Sequence, residues 1–552
     1  MTMSQINSVT EYEVENDIAV VTFDSPPVNA LGHAVRSGMD EAVNRALADE
    51  AVIALVLICA GRTFFAGADI REFGKPMASP VLRELAGRFE AADKPIIAAI
   101  HGTALGGGLE TAMACHWRIA VPAAKLGLPE VKLGLLAGAG GTQRLPRLVG
   151  AAKALDMVVS GDPIDARSAL DAGLVDALAE TDLRTDAIRF AREIAVRPDR
   201  LRRVRDMPTP VAAPELFISF RAKHDERLKG FEAPEASIRC IEAAATQDFE
   251  EGMRTERVLF EDLMQGAQCA AQRYIFFAER EAAKVPGLGK ETKALPSDAV
   301  AIIASPAAAE DIAGHLKTAG IEIGAPEPGR LALDLGGAAA SQDESARVVA
   351  RFAPSAKAPK ILEMLCGAKT SDAALAAGLV VAKKLGLASV VTLAGDALIG
   401  QRMADRLAET MRYCLADGLP ETDLFATAEA FGITFGPTGN AATGGRPFAD
   451  DAGRAIIERL LAALINEGAM LLEQGAAARA SDIDIACVKA GMFKAYRGGP
   501  MFQASQLGLF RVIDLLVEHQ QRWGDGHRFS PLLERLAREG EALHDYKGTR
   551  HG

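Results

Sequence analysis

The 552-residue chain has little cysteine and little aromatic content: seven cysteines, two tryptophans, and 5 % aromatic residues overall. The cysteines (Cys59, Cys115, Cys240, Cys269, Cys366, Cys414, Cys487) are scattered, with no CxxC pair and no metal-ligand spacing to histidine. That excludes a disulfide scaffold and a zinc module, and leaves the thiols as small buried hydrophobes of a reducing compartment. The longest apolar run, Ala51 to Ala60, is about half of what a bilayer-spanning helix needs. Runs of five or six like charges are missing, and 61 basic against 73 acidic residues leave a net charge of −12, without the basic face that nucleic acid requires. The start MTMSQINSVTEYEVEND lacks a basic stretch followed by an apolar core, and the end HDYKGTRHG resembles no receptor-read address. The expectation is a cytoplasmic protein with no membrane span, no nucleic-acid partner and no bound metal.

What is present is ordinary globular composition, 49 % apolar and 24 % charged, in a chain long enough for roughly three or four domains. Ile18 to Phe23, Val52 to Ile58 and Pro95 to Ile100 are short Val- and Ile-rich runs, while Ala34 to Leu47 and Ala151 to Ser160 have helical spacing. This alternation over the first 190 residues predicts a layered α/β unit. Charged helical segments, Ala236 to Phe260 and Ala267 to Ala283, follow. A second α/β unit opens at Val300-Ala-Ile-Ile and ends near Thr392, about 93 residues, too few for a comfortable six-strand dinucleotide fold. Beyond Gly395 the pattern is helical, broken by a glycine-rich loop at Gly436 to Gly445. Within Ala455 to Gly475, Ile456, Leu460, Leu464, Ala469 and Leu472 predict one buried stripe.

The chemistry concentrates in three motifs. Gly106-Gly-Gly-Leu-Glu110 lies between a buried strand and a helix, where glycines let the backbone approach a ligand and the first helical amides stay unpaired. An anionic oxygen would bind there, favoured by the helix dipole. Leu128-Pro-Glu130 places a second carboxylate twenty residues on, and Gly138-Ala-Gly-Gly141 follows eight residues later. Phe65-Ala-Gly-Ala-Asp-Ile70 forms a tight turn in which Ala68 can present another amide. Two converging amides with two carboxylates are what enolate chemistry requires.

Ala66-Gly-Ala-Asp-Ile, Ala104-Leu-Gly-Gly-Gly-Leu-Glu and Gly138-Ala-Gly-Gly-Thr-Gln-Arg-Leu resemble the crotonase, or enoyl-CoA hydratase/isomerase, superfamily over roughly Glu11 to Glu180. The resemblance implies a ββα spiral. It also implies an oxyanion hole from the amides of Ala68 and Gly107, catalytic Glu110 and Glu130, water placement by Gly138, and a coenzyme A site at Ala66, Ala68, Asp69, Ile70 and Arg71. Its substrate would be an acyl-CoA, with coenzyme A entering only as part of that substrate. Both glutamates match members that hydrate; a Δ3,Δ2-enoyl-CoA isomerase, or both activities in one pocket, needs only one. His116-Trp117 and Ala137 depart from the usual pattern, and His116 is read as structural. A non-catalytic assembly protein is the reading from another class.

The remainder resembles the multifunctional type 1 β-oxidation enzymes, which join a crotonase unit through a helical linker to a 3-hydroxyacyl-CoA dehydrogenase. Tyr274-Ile-Phe-Phe-Ala-Glu-Arg-Glu, Ile465-Asn-Glu-Gly-Ala and Tyr496-Arg-Gly-Gly-Pro-Met carry it. That implies a crotonase domain at 1–190, a helical linker at 191–294, a shortened Rossmann-like remnant at 295–394 and a helical C-terminal dehydrogenase-type domain at 395–552. Ala304, Pro306 and Ala309 stand where GxGxxG should be, and Pro306 also lacks an amide donor. Counting twelve back from Glu363, the place of the family's catalytic histidine is Arg351, and Gln401 replaces a later asparagine. The expectation is a hydratase with an inactive dehydrogenase half, no NAD, and a monomeric or small homo-oligomeric state.

Overall fold

A computed structural model describes residues 2–72, 76–289, 291–336, 344–355, 357–435, 445–524 and 529–547. Backbone packing divides the chain into two units, Met1–Cys269 and Ala270–Gly552.

The first unit opens with two antiparallel turns, β1 (Thr2–Asn7), β2 (Thr10–Glu15) and β3 (Ile18–Phe23), and continues in parallel through β4 (Ala54–Cys59), β5 (Ile96–Ile100), β7 (Trp117–Ala120) and β10 (Ala177–Leu178). A small second sheet joins β6 (Thr103–Leu105), β8 (Lys125–Gly127) and β9 (Ile164–Asp165). The central strands are apolar at nearly every position because both faces are covered, and the two-residue period sorts the side chains. Ile18, Val20, Val56, Ile97 and Ala99 meet α7 (Leu183–Ala195) on one side. Ala19, Val21, Leu55, Leu57, Ala98 and Ile100 join the larger core on the other, with α1 (His33–Ala48), α2 (Leu82–Ala91), α3 (Gly107–Ala114), α4 (Gly141–Val149), α5 (Ala151–Ser160) and α6 (Ala166–Asp171).

Three further helices, α8 (Pro214–Leu228), α9 (Glu232–Thr246) and α10 (Phe249–Gln265), complete this unit. Asp248 starts α10 by accepting the Glu251 amide at 2.8 Å, which splits the segment expected as one helix from Ala236 to Phe260. Cys240, Leu259 and Leu263 of α9 and α10 bury Val131, Leu135 and Leu136. The stretch expected as a single linker, 191–294, is therefore divided: α8 to α10 belong to the first unit and most of α11 (Ala267–Ala282) to the second.

In the second unit, β11 (Ala299–Ile303), β12 (Glu322–Ile323), β13 (Ala332–Asp334), β14 (Arg347–Ala353), β15 (Ile361–Leu365) and β16 (Ala388–Thr392) form one six-stranded sheet in the order β12-β11-β13-β14-β15-β16. The sequence argument that six strands would not fit is corrected here. They fit because only α12 (Pro306–Thr318) and α13 (Asp372–Lys384) are full helices within the sheet, and β14 and β15 pair antiparallel instead of crossing over. The rest is helical: α14 (Ile399–Ala416), α15 (Glu421–Phe431), α16 (Asp450–Glu473), α17 (Ala480–Lys489), α18 (Pro500–Leu507), α19 (Leu509–Trp523) and α20 (Pro531–Glu539). The single buried stripe expected in α16 is too narrow: Leu460 to Ile465 are buried without interruption, because helices pack on several sides of it. Residues 436–444, most of the expected glycine-rich loop, lie outside the described residues. None of the seven cysteines forms a disulfide, and among the described residues no helix is long and apolar enough to cross a membrane and no acidic, His or Cys cluster suits a metal.

Candidate active site

The three consecutive glycines at the start of α3, Gly106 as its cap and Gly107 and Gly108 in its first turn, are each required for a different reason. Gly106 has φ +53°, and a methyl there would stand 2.7 Å from Glu130 Oε1. One on Gly107 would meet Leu82 at 2.9 Å, Leu31 at 3.2 Å and the Ala68 amide nitrogen at 3.4 Å; one on Gly108 would sit 1.9 Å from the Phe65 carbonyl oxygen. The bare backbone thus lets α3 start against the turn that carries Ala68. Leu31 bridges to that turn, its amide donating to Gly67 at 2.9 Å. Among the described residues neither the Ala68 nor the Gly107 amide donates to another protein group. Two amides without a protein partner among the described residues thus lie on neighbouring backbone segments.

Arg36, which sequence reasoning missed, holds the loop above them. Its buried guanidinium donates to the carbonyls of Pro80 (2.8 Å), Leu31 (2.8 Å) and Ala78 (3.1 Å) and to Glu72 (2.7 Å). One side chain so ties Leu31 and the turn after Ala68, through Glu72, to the residues just before α2, whose Leu82 lies close to Gly107. Residues 73–75 lie outside the described residues, as does the side chain of Ile70. Asp69 pairs with Arg71 at 2.7 Å while Arg71 is 81 % exposed, and Ala66 donates to Val28 at 3.3 Å.

Glu110, buried in the first turn of α3, accepts the amides of Ala139 at 2.7 Å and Gly141 at 2.8 Å on its Oε1. Burial raises its pKa, while those amides and Arg144 pull it down. Glu130 begins the short turn of helix Glu130–Leu133, and its buried Oε2 has no hydrogen-bond partner among the described residues. Burial, then the charge of Glu110, hold its carboxyl well above the usual range. Gly138 is packed beneath the Phe260 ring of α10, where a methyl would clash at 2.4 Å.

A third carboxylate is present. Glu256 of α10 is 1 % exposed and accepts the Gly140 amide (2.7 Å), the Thr142 amide (3.1 Å) and the Thr142 hydroxyl (2.5 Å). Its pKa is raised to about 8, chiefly by burial and then by Glu110. The one signal in the sequence was its place on the apolar stripe Gly252, Glu256, Leu259, Leu263. A buried pair, Glu90 with Arg144, lies behind the loop at 2.9 and 2.7 Å. Because folded Glu256 keeps a proton that the unfolded chain gives up near the ordinary value, its contribution to stability is present below about pH 4.5 and lost as pH rises to about 8. Urea unfolding of the full chain at pH 5 and pH 8.5 should show this, with a smaller fall in Glu256→Gln.

His116 is buried; its Nδ1 accepts the Ile96 amide at 3.1 Å, and burial with Arg203 and Arg118 lowers its pKa to about 4. It stays neutral and anchors β5, consistent with a structural part.

Unpaired amides at Ala68 and Gly107, with the carboxyl groups of Glu110 and Glu130 close to the same glycine turn and the loop beside it, are groups that can stabilise charge on an acyl oxygen and move protons. Residues 13–212 match the family profile described as Enoyl-CoA hydratase/isomerase. A probable enoyl-CoA hydratase of Bacillus subtilis is 46 % identical over 191 residues, 33 % of this chain and 73 % of that protein. The peroxisomal bifunctional enzyme of Homo sapiens is 39 % identical over 284 residues, 50 % of this chain and 39 % of that protein. The peroxisomal bifunctional enzyme of Danio rerio is 28 % identical over 701 positions, reaching 96 % of this chain and 98 % of that protein. The chain belongs to the enoyl-CoA hydratase/isomerase, or crotonase, family.

Proposed function

We propose that the first unit is an enoyl-CoA hydratase, adding water across the 2,3 double bond of an unsaturated acyl-CoA to give a 3-hydroxyacyl-CoA. The observation that carries this reading is two carboxyl groups, Glu110 on the Ala139 and Gly141 amides and Glu130 against Gly106 with an unpartnered Oε2, on the same stretch of chain as the unpaired amides of Ala68 and Gly107. The thioester oxygen accepts both amides. As water adds at C3, electron density moves onto that oxygen, where the amides bind it most strongly. Glu110, whose anion is held by two amides, takes the proton from the attacking water; Glu130, whose free Oε2 keeps a proton, delivers it to C2. Gly138, whose peptide bond to Ala139 carries an amide that Glu110 accepts, helps place the water. Ala66, Ala68, Asp69, Ile70 and Arg71 form the coenzyme A rim.

The second unit is read as a dehydrogenase remnant that neither binds NAD nor transfers hydride. Its residues do not fit the dinucleotide. Ser305 caps α12 by accepting the Ala308 amide, and Pro306 withholds another donor, so the helix start offers no open amide cradle. Arg351 lies directly across the strand pair from Glu363, donates to it, and donates to Gln401 at 3.1 Å, while Glu363 accepts the Gly400 amide at 2.8 Å. A base is thereby replaced by a permanent cation locked in an ion pair. An alignment of 701 positions against a 552-residue chain also leaves well over a hundred positions of the zebrafish relative opposite gaps. The expected compartment is the cytoplasm.

A panel of 2-enoyl-CoA thioesters followed by mass detection of added water tests both halves. Water should add at the same rate with and without NAD, and no NADH absorbance should develop from the 3-hydroxyacyl-CoA formed. NADH formation would overturn the remnant reading, and no hydration of any chain length would overturn the first.

A further inference from the structure

The loop from Gly138 to Gln143 is gripped along one edge of α10, a helix outside the family-matched segment. Gly252 lies bare against Gln143, where a methyl would stand 2.0 Å from the amide oxygen; one turn on, Glu256 accepts from Gly140 and Thr142; one turn further, Phe260 covers Gly138. Positions i, i+4 and i+8 of one helix thus track successive residues of the loop. The loop's amides alternate between two carboxylates: Ala139 and Gly141 go to Glu110, Gly140 and Thr142 to Glu256.

We propose that Glu256 is a positioning residue of the active site: by taking alternate amides of the same loop, it fixes where Glu110 stands. It touches no substrate, and this role rests on the hydratase reading. The groups facing it are Glu110 from α3, Glu130 from the turn after β8, Arg144 and Thr142 from α4, and Cys240 from α9; Arg144 is already matched by Glu90 of α2. Three carboxylates so share one unmatched pocket, and each discourages ionisation of the others. The Thr142 hydroxyl receives Gln143 Nε2 at 3.1 Å, which turns its own hydrogen toward Glu256 and fixes the direction of that bond.

The test is Glu256→Gln in the full chain, with kcat and KM for a 2-enoyl-CoA measured from pH 5 to 9. The Gln amide turns one NH2 toward a donor of the loop, so kcat should fall about 10-fold or more, with KM within about twofold of wild type. Glu256 ionises only on the alkaline side, at about pH 8, so removing its carboxyl should also move the alkaline limb of the kcat profile to lower pH, because the Glu110 and Glu130 pair then loses its proton against one charge fewer. A profile that superimposes on wild type after scaling, or a rise in KM at unchanged kcat, overturns the proposal. Thr142→Val, which removes only the hydroxyl, covers the case in which the Gln variant does not accumulate: a shift in the same direction supports the role, and an unmoved profile refutes it. Glu110→Gln is run alongside. If it too hydrates normally, the hydratase reading has failed; if it is dead while Glu256→Gln matches wild type, only the positioning role has.

Discussion

Glu130→Gln in the full chain is expected to lower kcat for water addition to a 2-enoyl-CoA by about 10²- to 10⁴-fold, with a much smaller change in KM. The carboxamide fills the same space against Gly106 and cannot deliver a proton to C2. The pH dependence follows from the same group. Hydration needs Glu130 protonated, and burial beside Glu110 keeps that proton well above the usual carboxylate range, so the rate should hold through neutral pH and fall on the alkaline side. Glu110→Gln should cost a comparable factor, since its oxygen can still accept the Ala139 and Gly141 amides but the neutral carboxamide cannot take a proton from water. A parallel assay on a 3-enoyl-CoA separates the two chemistries of the family. If shifting the double bond survives Glu130→Gln while hydration collapses, Glu130 belongs to the hydration step. If hydration itself persists within threefold, the paired-carboxylate mechanism is wrong.

What the sequence made legible was local in the chain. Three glycines, a turn at Ala68 and a carboxylate one helical turn later are enforced by steric demands within a few residues, and the structure sets Gly106, Gly107 and Gly108 against Glu130, Ala68 and Phe65 as that spacing required. The apolar strands were equally clear, because a sheet covered on both faces reads as unbroken Val and Ile. The missed residues act across long separations. Three of the four Arg36 partners lie 36 to 44 residues away, and Glu256 bonds 114 to 116 residues away, where no period or motif links donor to acceptor. Glu256 looked like one more charge in a charged helix until the turn at Asp248 set its phase and placed it on the buried stripe. The six strands of the second sheet were hidden for the opposite reason: strands as short as Glu322–Ile323 and Ala332–Asp334 carry too few side chains for a period of two to show.

The largest expected loss of stability comes from Arg144→Met. The guanidinium and Glu90 are both almost completely buried and bonded twice, and Arg144 also donates to the Ala139 carbonyl at 3.0 Å and lies over the Phe249 ring. Removing it leaves Glu90 as an uncompensated buried carboxylate with only the long 3.3 Å bond from the Arg205 amide. Breaking a buried pair from one side typically costs about 3–5 kcal/mol, and here the lost cation also stood among Glu110 and Glu256. Denaturant unfolding of the full chain, followed by a probe in the first unit, should register that loss; a midpoint within about 0.5 kcal/mol of wild type would show that the pair is not holding the loop. The double variant Glu90→Leu with Arg144→Met distinguishes a charge left behind from packing lost. It should recover most of the stability, because two apolar side chains of similar size can replace a buried ion pair at little cost. It should not recover activity, because the Ala139 carbonyl has lost its donor and the loop whose amides hold Glu110 has lost the positive charge of Arg144 beside it.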